Sequence, residues 1–213
     1  MIIYPAIVSD VGFVLEALRA LDGAASSFAE TFRWEPLTLV FLAASAWWVK
    51  WPLIAAIGAC GDASCRRRCP RAAVSALLAI GASALLVTVL KQTVDRARPS
   101  LADSGIDPIG IVPASASFPS GHAATAFAAA VAVGLVHPRL RRPLLAVAAV
   151  VALSRVYLGV HYVLDVLAGT VLGVAVGIAA ARLVRAVVPE PRALALSPAP
   201  AGTNSVPSRR SRG

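Results

Sequence analysis

Three short motifs follow one another along the chain: Lys91 with Arg98-Pro99, then Pro119-Ser120-Gly121-His122, then Ser154-Arg155 with His161 and Asp165. Each lies at the end of a long apolar run. An arginine fork can grip two phosphoryl oxygens and a lysine ammonium acts as a point charge on a third. Imidazoles can attack or carry protons near neutral pH, and a carboxylate can fix an imidazole's tautomer. Together these residue types describe a site for a phosphate group and for proton transfer around it.

Each motif also has an ordinary reading. Lys91 and Arg98 are two helical turns apart, so a helix that continues past the membrane would point both the same way until Pro99 stops it. Snorkelling toward lipid headgroups accounts for the same pair. Pro119 suits the first position of a helix whose next N–H groups form an anion site, with Gly121 admitting the phosphate, Ser120 adding a hydroxyl and His122 able to deliver a proton. Pro and Ser also begin many helices simply as caps. His161 and Asp165, four residues apart, would share one helix face, the carboxylate taking the Nδ1 proton and leaving Nε2 as nucleophile. A structural His–Asp pair has the same spacing. Jointly the three motifs supply what phosphoryl transfer requires: cations and N–H donors for the equatorial oxygens, a nucleophile, an orienting carboxylate and an acid.

The elements that must position these residues are transmembrane helices. The chain has 213 residues, 58% hydrophobic and 15% charged, with a mean hydropathy of +0.75, too apolar for an ordinary soluble domain. A crossing takes about 20 mostly apolar residues, and the candidates are 36–59, 72–90, 118–136, 143–160 and 163–184. The expected fold is therefore all-α, an integral membrane bundle of five to six transmembrane helices. The net charge of +9 does not indicate nucleic acid, because it sits in loops beside apolar runs. Arg66, Arg67, Arg68 and Arg71, then Arg139, Arg141 and Arg142, then Arg182 and Arg185 mark three cytoplasmic segments by the positive-inside rule. All three motifs then fall on the outer face. An intramembrane ion path in a transporter would spread its charges through the membrane depth, whereas these cluster at one end.

Residues 1–35 read as an outer-face segment whose apolar positions Val11, Val14, Leu15, Leu18 and Leu21 mark an interfacial helix over 8–21. Residues 36–188 form the transmembrane core, and the Pro-, Ser- and Arg-rich stretch 189–213 a disordered cytoplasmic tail. Lys50 among Trp47, Trp48 and Trp51 reads as a headgroup anchor. Cys60, Cys65 and Cys69 have no zinc spacing and fall in a reducing compartment. The first residues carry no signal-peptide pattern, and no internal repeat is visible.

The pattern Lys91-x6-Arg98-Pro99, Pro119-Ser120-Gly121-His122 and Ser154-Arg155-x5-His161-x3-Asp165 resembles the phosphatidic acid phosphatase type 2 superfamily over roughly residues 36–185. The resemblance implies that His161 attacks phosphorus to form a phosphohistidine, oriented by Asp165. It implies that His122 protonates the leaving oxygen and later activates water, and that Lys91, Arg98, Arg155, Ser120 and the Gly121 amide hold the phosphoryl oxygens. No cofactor or metal is implied, and the partner is a membrane lipid phosphate. His161 must be neutral while His122 is protonated, so their environments should hold the two pKa values apart and give a bell-shaped pH profile. The loop between Pro99 and Pro119 is short and leaves the site open to a lipid entering sideways. Undecaprenyl diphosphate is the first expected substrate, with phosphatidylglycerophosphate or phosphatidate next, and lipid-to-lipid phosphotransfer as alternative chemistry.

Overall fold

The computed structural model describes residues 4–46, 71–102 and 105–188. Among them are six α-helices and a 3-10 turn, and no strand. They run α1 Tyr4–Glu30, α2 Glu35–Ser45, α3 Arg71–Val94, α4 Gly121–Val136, the 3-10 turn Pro138–Leu140, α5 Arg141–Tyr157 and α6 Val163–Val187. Lys50 and its tryptophans, the three cysteines, Arg66 to Arg68, and the tail lie outside the described residues.

Helix α4 is the hub and packs against α3, α5 and α6. Its composition allows this: Ala123, Ala124, Ala128, Ala129 and Ala132 are fully buried, so neighbouring backbones approach closely. Helix α6 meets it with Gly169, Gly173 and Gly177, one per turn on a single face. A Cβ on Gly173 would stand 2.2 Å from the Ala124 carbonyl oxygen, and one on Gly169 would stand 2.4 Å from that of Ser120. Small residues at four-residue spacing are how helices associate where lipid removes the hydrophobic drive. Gly173→Ala should therefore force α4 and α6 apart and cost about 1–3 kcal/mol or more, read as a lower thermal midpoint of the detergent-solubilised protein.

The outward faces are apolar. Leu77 on α3 is 71% exposed and Val171 on α6 70%, with Leu85, Leu153, Leu167 and Leu183 also uncovered. Helices α3 and α6 are long and apolar enough to cross a membrane, with mean hydropathies of 2.4 and 2.2 over their best windows, while α2 and α4 are shorter apolar helices.

Several boundaries differ from the sequence expectation for local reasons. The first helix runs over 4–30 rather than 8–21. Helix α3 ends at Val94, because Asp95 adopts a left-handed conformation with φ of 42°, so Arg98 stands in a loop and not on a second helical turn above Lys91. Helix α4 begins at Gly121 behind an extended Ser120, which leaves Pro119 ahead of the helix, joined to Phe118 by a cis peptide bond. Helix α5 stops at Tyr157, followed by Gly159 at φ 69°.

The helix directions sort the charges. Helix α3 starts at Arg71, whose Nε donates to the Val188 carbonyl at 2.9 Å just beyond α6. Arg139, Arg141 and Arg142 lie in and beside the α4–α5 link, at that same end of the bundle. The end of α3, the start of α4, the end of α5 and the start of α6 form the opposite end, where all three motifs meet.

Candidate active site

The geometry begins with the turn after α5. Gly159, in a conformation that costs glycine little, bends the chain back so that the Val160 and His161 amides reach the Arg155 carbonyl at 3.2 and 3.3 Å. That turn explains the spacing of the third motif: it seats His161 beside the base of Arg155. His161 thus precedes α6 rather than sharing a helix face with Asp165. The two meet because Asp165, in the first turn of α6, folds back to accept the Tyr162 amide at 3.0 Å. The carboxylate that caps the helix is the one that faces the imidazole.

His161 is 2% exposed and held from both sides. Its Nδ1 lies 3.5 Å from Asp165 Oδ2 and 3.4 Å from Ser117 Oγ, and the Ser117 hydroxyl donates to that same carboxylate oxygen. On the other edge, Arg98 Nη1 lies 3.3 Å from His161 Nε2. A guanidinium can only donate, so Nε2 is the accepting nitrogen and the proton resides on Nδ1. Burial pushes the His161 pKa down from 6.5 to about 4, helped by the positive charges of Arg98 and Arg155 and opposed by Asp165. The imidazole is neutral at physiological pH with its lone pair on Nε2.

Arg98, 2% exposed, is lodged among carbonyls. Its Nε donates to Ser115 O at 2.8 Å and Nη1 to Val160 O at 2.7 Å. Its Nη2 reaches Ser115 Oγ and Ala116 O, both at 3.3 Å. Lys91 Nζ donates to Ser115 Oγ at 3.2 Å and to the Ala116 carbonyl, so the two cations of the first motif converge on one loop. On the opposite wall Arg155 Nη1 donates to Ser45 Oγ at 2.5 Å, and His122 Nε2 lies 3.2 Å from the Ser45 carbonyl. A carbonyl only accepts, so that nitrogen of His122 carries a proton. The Ser120 amide donates to Asp165 O at 2.9 Å, tying the second motif to the third.

Among the described residues five buried side-chain atoms have no hydrogen-bond partner, and two of them lie at this site: Ser120 Oγ and Arg155 Nε. Such groups are costly unless something satisfies them, and both are of the type that binds an oxyanion. Helix geometry gives the first N–H groups of α4 no acceptor inside the helix itself. A Cβ on Gly121 would make only ordinary contact, 3.4 Å from Val87, so packing does not demand glycine there.

Sequence reasoning missed Ser45, Ser117 and Arg96. Arg96 Nη1 donates to Asp165 Oδ1 at 2.7 Å and Nη2 to Asp22 Oδ2 at 2.8 Å. Helix α1 is therefore tied to the bundle through Asp22. It is clamped again where Arg33 donates to Asp107 O at 2.6 Å and pairs with Glu30 at 2.9 Å, and where the Tyr157 hydroxyl accepts the Trp34 amide at 2.8 Å.

Residues 72–189, more than half the chain, match the PAP2 superfamily. A lipid A 1-phosphatase of Rhizobium etli is 40% identical over 95 residues, 43% of this chain and 41% of that protein. A decaprenylphosphoryl-5-phosphoribose phosphatase of Mycolicibacterium smegmatis is 39% identical over 127 residues, 56% of this chain and 62% of that protein. The chain thus spans less than two thirds of the length of these curated relatives. The crystal structure of a transmembrane PAP2-type phosphatidylglycerolphosphate phosphatase from Bacillus subtilis superposes with a TM-score of 0.65 at 29% identity, covering 78% of this chain and 86% of that one.

Proposed function

The chain belongs to the PAP2 superfamily, and from that premise we propose that it is a metal-independent integral membrane lipid phosphatase working through a phosphohistidine. The observation that carries the reading is His161: buried, neutral, with Nδ1 turned to Ser117 and Asp165 and the Nε2 lone pair free to attack once a phosphate displaces the Arg98 contact. As the Nε2–P bond forms, the bond from phosphorus to the lipid oxygen breaks, and His122 gives that oxygen its proton. His122 then takes a proton from water, whose oxygen attacks phosphorus and breaks the P–N bond. Phosphate leaves and both imidazoles are restored. Lys91, Arg98, Arg155, Ser120 and the Gly121 amide hold the equatorial oxygens.

The topology that goes with this is five crossings, with the arginine-rich end cytoplasmic, the site on the extracytoplasmic face of the plasma membrane and the C-terminus inside. Uncovered leucines on α3, α5 and α6 support it, as does the charge asymmetry between the two ends. Residues 36–188 are the catalytic core, 1–35 an outer segment docked on it, and 189–213 a cytoplasmic tail.

An undecaprenyl-type polyprenyl diphosphate, cleaved to the monophosphate, is the first substrate. The short loop over the site, open to the bilayer, supports a long-chain lipid. Phosphatidylglycerophosphate is the second reading, favoured by the superposition on the Bacillus subtilis enzyme. Phosphate release by the purified protein in excess EDTA, from undecaprenyl diphosphate, phosphatidylglycerophosphate and phosphatidate side by side, tests both. Release that survives chelation is expected, with undecaprenyl diphosphate preferred; activity that EDTA abolishes would sink the metal-free reading. A second labelled lipid in place of free phosphate would make the enzyme a phosphotransferase.

The pH dependence has a definite sign. Because folding depresses the His161 pKa from 6.5 to about 4, the nucleophile keeps its lone pair down to that pH. The acidic limb of kcat/KM is expected near pH 4, and a limb near 6.5 would contradict a buried, neutral His161. Between those values the unfolded chain binds a proton that the folded protein refuses, so this residue makes stability fall as pH drops from 6.5 toward 4.

A further inference from the structure

We propose that Asp22 and Arg96 are positioning residues for this reaction: Asp22, on the N-terminal helix, holds Arg96 against Asp165, and Arg96 fixes both groups that face the His161 Nδ1–H. The inference deepens the phosphohistidine reading and rests on it.

The Asp22 side chain is fully buried, unusual for an acid on an amphipathic helix. Its Oδ2 accepts from Arg96 Nη2 at 2.8 Å, and its Oδ1 accepts the Leu164 amide at 2.9 Å, an unpaired donor in the first turn of α6. Asp22 thereby caps the helix that carries Asp165. Arg96 is held in its turn by the Tyr162 ring, 4.0 Å beneath its guanidinium carbon. From there it reaches both partners of the imidazole. Its Nη1 binds Asp165 Oδ1 at 2.7 Å, and its carbonyl accepts the Ser117 amide at 2.7 Å, setting the hydroxyl that bridges Asp165 and His161.

Charge completes the argument. Both carboxylate side chains are wholly buried and share one guanidinium. Without Arg96, two like charges would face each other in a low dielectric, and one would take up a proton or move. Either outcome degrades the acceptor for the His161 Nδ1 proton. Neutralising Asp22 as well removes the surplus charge. The remaining bonds of the N-terminal segment, Arg33 to Asp107 and Trp34 to Tyr157, do not involve Asp22.

The test measures kcat and KM for full-length Asp22→Asn, Arg96→Lys, Arg96→Gln and the Asp22→Asn/Arg96→Gln double variant, on the lipid that the wild type hydrolyses. Thermal midpoints are recorded for each, with exposed Glu16→Gln as control. Asp22→Asn should lower kcat about 10- to 100-fold with KM within about twofold, as for a residue orienting another's catalytic group. Arg96→Gln should be at least as severe, Arg96→Lys intermediate, and the double variant should regain several-fold over Arg96→Gln alone. Full kcat in Asp22→Asn, or a double variant no better than Arg96→Gln, would overturn the proposal while leaving the phosphatase reading intact. A wild type that releases no phosphate would overturn both.

Discussion

His161→Ala is expected to abolish phosphate release, by on the order of 10⁴-fold or more, as for removal of a covalent nucleophile acting in a catalytic unit. No other described group can take its place. Among the buried side chains at this end of the bundle, His161 alone has a ring nitrogen flanked by a guanidinium on one edge and a carboxylate on the other. His122 has Nε2 committed to the Ser45 carbonyl, which suits a proton carrier and not an attacking lone pair. Truncation at 161 removes a buried ring, so folding must be checked through the thermal midpoint. The Asp165, Tyr162 and Ser117 contacts persist without it. A variant that folds and retains even a hundredth of wild-type turnover would rule out His161 as the nucleophile.

Arg98→Lys is the second large effect, although it conserves charge. The guanidinium places donors on Ser115 O, Val160 O, Ser115 Oγ and Ala116 O while one nitrogen also touches His161. A lysine has one nitrogen and three protons and cannot span that fork. At least one buried carbonyl would lose its partner, costing about 1–3 kcal/mol, and His161 would lose the contact that aligns its Nε2. We expect a lower thermal midpoint together with a fall in kcat of about 10²-fold or more. Lys91→Arg should do less damage, because Lys91 is only partly buried and bonds to the rim of the same loop. Equal activity of Arg98→Lys and wild type would mean that Arg98 is only a charge.

The eight candidate residues stand out in the sequence by motif spacing, and the structure links Lys91, Arg98, His161 and Asp165 through Ser115 and Ser117, and Arg155 and His122 through Ser45. How they meet was less legible. The helical two-turn relation of Lys91 and Arg98 fails at Asp95, whose left-handed backbone ends α3 early. The shared helix face of His161 and Asp165 is replaced by a cap, since a carboxylate in the first turn can bend back over a helix start. Asp22 is one of several acids among residues 1–35, and only a contact 74 residues along the chain distinguishes it. Arg96 lies two residues from Arg98 and carries the same charge, so no local signal separates a residue that binds Asp165 from one that faces His161. Ser45 fell within an expected crossing over 36–59, of which only α2 and the residue after it lie among the described residues. The glycine face of α6 was present in the sequence as Gly169, Gly173 and Gly177, but its partner became evident only with α4 against it.

The central claim is a covalent bond between phosphorus and His161 Nε2. The most direct measurement is rapid quenching of the purified enzyme, in excess EDTA, with a lipid substrate carrying labelled terminal phosphorus, followed by mapping of the label on the protein. The account predicts label on the peptide that contains His161, stable in base and lost in acid, and none in His161→Ala. Turnover without labelled protein at any quench time, or label on His122 instead, would contradict it.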